Sequence, residues 1–150
     1  MINEEYSIVI NRPIEEVFAY VSDLRHSAVW QKGLLEVRKE TEGPLGVGTR
    51  FSFVRDFLGR KLESSNEFVK FNPPTLVVFD IPSGPVPGQA SYRFEHASNG
   101  TALTSTVRME TKGFSRLAEP LVTVSLRKDM KANLATLKKL LESKQAGTAQ

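Results

Sequence analysis

From Leu34 to Thr111 no segment of the chain shows a helical period. "TRFSFVRDF" (Thr49–Phe57) alternates apolar and polar residues, and Leu34–Lys39, Lys61–Phe71, Thr75–Ile81, Gln89–Ala97 and Thr101–Thr111 also read as strands. Such alternation marks strands with one face buried. The breaks between them are turn-forming: "EGPLGVG" at Glu42–Gly48, "LGR" at Leu58–Arg60, "NPP" at Asn72–Pro74, "PSGPVPG" at Pro82–Gly88 and "SNG" at Ser98–Gly100. Asn-Gly is the strongest short hairpin signal. Consecutive strands joined this way make an antiparallel sheet, and its apolar face needs a cover.

The two ends of the chain supply it. Near the N-terminus, Glu5–Ile10 reads as a further strand. Asn11 is the expected N-cap of a short helix, with Pro13 in its first turn and Glu15 and Glu16 at the positive end of its dipole. Ile14, Val17, Phe18 and Val21 form its apolar stripe. Ser22-Asp23 ends it and caps a second short helix over about Leu24–Trp30. From Phe114 the period is helical: Leu117, Leu121 and Val124 make one row, and Met130, Leu134, Leu137 and Leu141 another, with a bend or restart expected near Pro120. The expected class is α+β: a curved antiparallel sheet of six to seven strands, two short helices after the first strand, and one long C-terminal helix as cover. Residues 1–144 read as one domain and 145–150 as a flexible tail.

Composition excludes several chemistries. There is no cysteine, hence no disulfide, thiol nucleophile or cysteine metal site, and two histidines seventy residues apart do not suggest a structural zinc. No metal or cofactor is expected. Glu4 and Glu5 and the lack of a long apolar run argue against a signal peptide or membrane span, so a cytoplasmic location is expected. Residues 1–113 carry 13 basic and 14 acidic side chains, whereas residues 114–150 carry 7 and 3. The positive excess thus sits on the C-terminal helix, either as a solvated face or as a contact for an anionic membrane surface or acidic partner. Basic and aromatic residues are not interleaved there, so nucleic acid is not expected.

The alternation also names inward faces. Phe51, Phe53, Arg55 and Phe57 share one, unless a bulge near Asp56 shifts the register. Tyr92 and Phe94 share another, as do Leu103, Ser105, Val107 and Met109; Phe68, Val77 and Phe79 join them. An inward guanidinium needs a partner. Arg55 either pairs with an internal carboxylate such as Asp80 or Glu67, meets an anionic ligand group, or snorkels to water. His96, beside the hairpin turn, reads as exposed. His26, three residues after Asp23, is a candidate mouth residue, but neither Ser22 nor Ser27 lies in a nucleophile elbow, and Asp23 suits a helix cap better than a catalytic partner.

Three stretches carry a resemblance: "INRPIEEVFAYVSDLRHSAVW", "YRFEHASNGTALTSTVRMETKG" and "MKANLATLKKLLES". In this order and spacing they resemble the START-like (SRPBCC, helix-grip) superfamily, and within it the polyketide cyclase/dehydrase and lipid-transport group. The resemblance implies a sheet gripping the C-terminal helix around a cavity for a hydrophobic small molecule such as a lipid, polyketide or quinone, in a carrier, a sensor or an enzyme. On that expectation the cavity is lined by Trp30, Phe51, Phe53, Arg55, Phe68, Phe79, Tyr92, Phe94, Leu103, Ser105, Val107, Leu121 and Val124, with Trp30 as plug or wall; Pro82–Gly88 is either a plain connection or a lid over the entrance. A monomeric or weakly dimeric binding protein is the first reading. A polyketide cyclase/dehydratase is the second, and a co-chaperone-like interaction module the third.

Overall fold

The strands expected from alternation form in a computed structural model that describes residues 1–57, 59–83, 87–110 and 118–147. They are β1 (Ile2–Ile10), β2 (Leu34–Lys39), β3 (Arg50–Phe57), β4 (Arg60–Asn72), β5 (Leu76–Ser83), β6 (Gly88–Ala97) and β7 (Gly100–Met109). Together they make one antiparallel sheet in the order β1-β7-β6-β5-β4-β3-β2. All neighbours are consecutive in the chain except β1 and β7, which pair from Ile2 opposite Met109 to Ile10 opposite Thr101. The sheet curls around the C-terminal helix α3 (Glu119–Gly147), the grip arrangement the resemblance implied.

Between β1 and β2 lie α1 (Ile14–Ser22), a 3-10 turn (Leu24–His26) and α2 (Ser27–Trp30). Ile14, Val17, Phe18 and Val21 are all buried, as their spacing requires. Phe18 meets Phe94 edge-on at 5.1 Å and Phe71 at 5.5 Å between ring centroids, which anchors α1 to the sheet. Asp23 is a cap: its Oδ1 accepts the backbone N–H of Arg25 at 3.1 Å. Burial alone would raise the Asp23 carboxyl, but the Arg25 hydrogen bonds outweigh it and hold the group below its usual range. The His26 ring turns to Tyr20 rather than to the Asp23 carboxylate. It stacks on the Tyr20 ring at 4.2 Å, and its Nδ1 lies 2.8 Å from the Tyr20 carbonyl.

Several local expectations change. Asn11 does not cap α1. Pro13 occupies the N-cap with no side-chain bond, while the Asn11 backbone N–H donates to Glu142 Oε2 of α3 at 2.8 Å. Of the bend or restart expected near Pro120, the helix shows a start: α3 begins at Glu119, with Pro120 in its first turn, where its missing N–H costs nothing. The helix runs on to Gly147, into the segment expected to be a tail. The β3–β4 register is continuous from Arg50 opposite Glu67 to Phe57 opposite Arg60, so no bulge forms at Asp56. Irregularities fall instead in β2, between Leu34 and Glu36, and in β4 against β5. The Phe57 side chain, Leu58, the centre of Pro82–Gly88, Leu117 and residues 148–150 lie outside the described residues.

The hairpin at Ser98–Gly100 forms for a different reason than the Asn-Gly pair suggested. Ala97 pairs with Gly100, so the two turn residues are Ser98 and Asn99. Gly100 has φ 155°, and a Cβ there would lie 2.2 Å from the Ile10 carbonyl oxygen, 2.8 Å from Asn11 Cα and 2.9 Å from Arg12 N. The glycine lets the β1–α1 link pass against the start of β7.

The core lies between sheet and helices. Phe68 is fully buried, with the rings of Phe51, Phe71 and Phe79 at 5.4, 5.7 and 6.2 Å. α3 contributes Met130, Leu134, Leu137 and Leu141, each 8% exposed or less. It is tied to β1 by Arg127 Nε donating to Glu4 Oε1 at 2.6 Å and by Lys138 Nζ donating to the Val9 carbonyl at 2.6 Å.

Candidate functional site

Alternation along β3 puts Phe51, Phe53 and Arg55 on the face turned to the core, and both rings are buried. The Arg55 guanidinium is largely withdrawn from solvent, with its Cζ 5.5 Å from the Phe53 ring centroid. Neither Asp80 nor Glu67 reaches it. Asp80 alternates with the buried Val77 and Phe79 and turns outward, where its Oδ1 accepts from Gln89 at 2.8 Å; Glu67 alternates with the buried Asn66 and Phe68. Arg55 instead donates from Nη2 to Gln31 Oε1 at 3.2 Å. Burial pulls its pKa down from the ordinary value, opposed by Tyr92 and by the Asp129 carboxylate of α3.

Gln31 directly follows α2 and turns one end to each partner. Because arginine can only donate, the Gln31 carbonyl oxygen must face Arg55, which leaves its Nε2 to donate to the Tyr92 hydroxyl at 3.3 Å. Tyr92 sits on β6 opposite Ser105 of β7 and 5.9 Å from the Phe79 ring. Burial drives its pKa up to about 12. It is therefore a neutral phenol at physiological pH, able to donate a proton in a hydrogen bond and poorly suited to act as a base.

Trp30 completes the group. It is 3% exposed with its ring 6.3 Å from that of Tyr92, yet its Nε1 has no hydrogen-bond partner among the described residues. Ser27 Oγ and Asn66 Nδ2 are likewise buried without one. A buried donor left unpaired costs about 1–3 kcal/mol. Among the described residues, these unpaired atoms mark places where another molecule or water would be stabilised.

Of the expected lining residues, Trp30, Phe51, Phe53, Phe68, Phe79, Tyr92, Phe94, Leu103 and Ser105 are buried; Arg55 and Val107 are partly buried and belong to the same side. Leu121 and Val124 are corrected: they stand 76% and 63% exposed. Nine residues at 3.6 per turn put Leu121 on the opposite side of α3 from the buried Met130. Gln31, Asn66 and Asp129 belong to the interior group or face it, and none was expected there. For Asn66 a signal existed, since the two-residue period places it on Phe68's face. Gln31 follows a one-turn helix and has no period to betray it.

A recess of about 400 Å³ opens elsewhere, lined by Glu5, Lys70, Val78, Gln89, Arg93 and Arg108 among others. Its lining comes from the outer face of the sheet, and none of the expected lining residues borders it. Among the described residues no three His, Asp or Glu side chains gather where they could hold a metal ion, and no helix is long and apolar enough to cross a membrane.

The pKa of Tyr92 has a measurable consequence. Its folded value lies above the ordinary 10.0, so its contribution to stability is complete below pH 10 and is lost as pH rises toward about 12. Stability from denaturant titrations should fall by about 2 kcal/mol over that interval, and Tyr92→Phe should remove most of the slope.

Similarity to solved structures agrees with this architecture. An aromatase/cyclase from Streptomyces sp. R1128 superposes with a TM-score of 0.76 at 14% identity, over 95% of this chain and 94% of the other. A START superfamily protein from Mycobacterium smegmatis gives 0.77 at 10%, over 94% and 97%. A protein from Thermus thermophilus gives 0.77 at 19%, over 92% and 95%. At these identities the likeness is one of fold. No curated protein matches the chain by sequence. The family model described as polyketide cyclase / dehydrase and lipid transport matches residues 1–142, and the chain belongs to that family.

Proposed function

We propose that the interior between sheet and α3 binds a hydrophobic or amphipathic small molecule of lipid, polyketide or quinone type, and that Arg55, Tyr92 and Trp30 receive its polar end. One observation carries this reading: a buried, unpaired indole N–H lies beside a neutral phenol that is linked through Gln31 to a guanidinium. All three are donors, so the group they suit is an acceptor such as a carbonyl, phenolate or carboxylate. The surrounding Phe53 and Phe79 rings supply the apolar wall. Binding then combines burial of apolar ligand surface with orientation by a few donors.

A carrier or sensor needs nothing further. A second reading, a cyclase or dehydratase, is favoured by the same neutral Tyr92, which can protonate a developing enolate near Arg55 while the walls hold a reactive chain in one conformation. It also accords with the aromatase/cyclase among the structural neighbours.

Trp30 is the chain's only tryptophan, so its fluorescence reports directly on this site. Titration with a long-chain fatty acid and with its methyl ester should perturb the emission. Arg55→Leu should weaken the acid by about 1.5–3 kcal/mol, the range for a hydrogen bond to a charged group, and the ester by much less. Equal loss for both would reject an anion-binding role for Arg55, and no emission change with any apolar ligand would reject the site. Native mass spectrometry of protein from its own host would identify the ligand class.

A further inference from the structure

We propose that the solvent face of α3 docks on an anionic bilayer surface, with Leu121 and Val124 entering the interfacial layer and Lys128, Lys131 and Lys139 meeting the headgroups. This goes beyond the binding reading and stands without it.

Leu121, Val124, Lys128, Lys131, Ala135 and Lys139 succeed one another at spacings of three and four, so they form one row along the helix. Every member is exposed, and no acidic residue interrupts the row. Among the described side chains, the cations on other sides of α3 are engaged: Arg127 holds Glu4, and Lys138 holds Glu142 and the Val9 carbonyl. Among the described residues, the three lysines of the row have no ion pair or hydrogen bond. An ordinary solvated helix face mixes both signs and sets carboxylates against lysines one turn away. Here two carboxylates of α3 are paired elsewhere, Glu119 with the N-terminal amine and Glu142 with Lys138, and Asp129 lies off the row. What remains outward is a row with two large apolar side chains at one end and cations beyond them. That is the pattern of a helix lying in the headgroup layer of an anionic membrane.

The placement has a further sense if the interior carries a lipid-like ligand. Asp129, which faces Arg55, lies eight residues from Leu121, ~12 Å along the helix axis. Docking through the row would bring the donor cluster close to the bilayer from which such a ligand would come. This link depends on the binding reading; the docking does not.

Flotation of the full chain with vesicles of phosphatidylcholine, alone or mixed with phosphatidylglycerol, tests the proposal. The wild type should float with the mixed vesicles at least ~10-fold more strongly than with the neutral ones, and high salt should release it. Leu121→Ser with Val124→Ser, and separately Lys128→Glu with Lys131→Glu, should each weaken binding by roughly 10-fold or more. These positions are exposed, and unchanged thermal melts would show the fold intact. Arg93→Glu with Arg108→Glu, on the outer face of the sheet, should leave binding unchanged. Wild-type flotation no better with anionic than with neutral vesicles would overturn the proposal. So would loss of binding only in the sheet-face pair. Leu121→Ser/Val124→Ser instead dissociating a dimer, or the lysine pair abolishing binding to polyglutamate when no vesicle is bound, would assign the face to a protein partner and overturn it equally. Trp30 titrations in vesicle-free solution keep failure of the binding reading separate from failure of docking.

Discussion

Phe68→Ala should cost the fold about 3–5 kcal/mol, the range for deleting a fully buried phenylalanine. Phe68 is 0% exposed on β4 and contacts three rings that come from different strands or strand ends: Phe51 of β3, Phe71 of β4 and Phe79 of β5. None can close the gap alone, because each is held by its own strand's register. A chain of 150 residues loses roughly 2–4 °C of melting temperature per kcal/mol, so the drop should be on the order of 10 °C. Phe68→Leu, which retains most of the volume, should cost much less. A Phe68→Ala melt within about 2 °C of wild type would mean that the rings around it do not share the packing as the geometry implies.

Gly100→Ala should be nearly as damaging, by about 3 kcal/mol, the upper part of the range for overpacking. The three atoms that a Cβ would strike, at 2.2, 2.8 and 2.9 Å, all belong to the backbone of Ile10, Asn11 and Arg12. No side chain can swing aside. The chain linking β1 to α1 must move, and with it the 2.8 Å bond from Thr101 Oγ1 to the Arg12 carbonyl. Unlike Phe68→Ala, the damage should be directional: amide exchange should rise first at Ile10–Arg12 and in the β1–β7 pairs nearest them. A variant as stable as wild type, with unchanged exchange there, would show that the link passes β7 less closely than 2.2 Å implies.

How much of the fold and of the site can be read from the residues alone depends on whether a rule of spacing governs them. The β3 pattern Phe51, Phe53, Arg55 obeys a period of two, and all three face inward. Ile14, Val17, Phe18 and Val21 obey the helical period and are buried together. Asp23 caps because its side chain and the N–H it satisfies are two residues apart. The partners of Arg55 obey no such rule. Gln31 and Asp129 lie 24 residues before it and 74 after it, brought there by tertiary packing alone. Leu121 and Val124 fail for a related reason. Spacing puts them in one row of a helix, but which row meets the sheet is settled by tertiary packing, and the covered side is that of Met130, opposite Leu121.

The pairing of β1 with β7 has a temporal consequence. Apart from this pair, each strand's partners lie next to it in the chain, so β2 to β7 can zip up as a series of hairpins. β1 emerges from the ribosome first, but its sheet partner spans residues 100–109, and α3, which also packs on it, comes later still. During synthesis the first nine-residue strand must therefore wait, unpaired, while roughly a hundred residues are added, several seconds or more at ordinary rates of translation. Asn3, Glu4, Glu5 and Ser7 make its first two thirds mostly polar, and charges on an unpaired strand oppose pairing with a neighbour chain. The first strand of the sheet in chain order is thus expected to be the last to join it, and substitutions there should speed unfolding more than they slow folding.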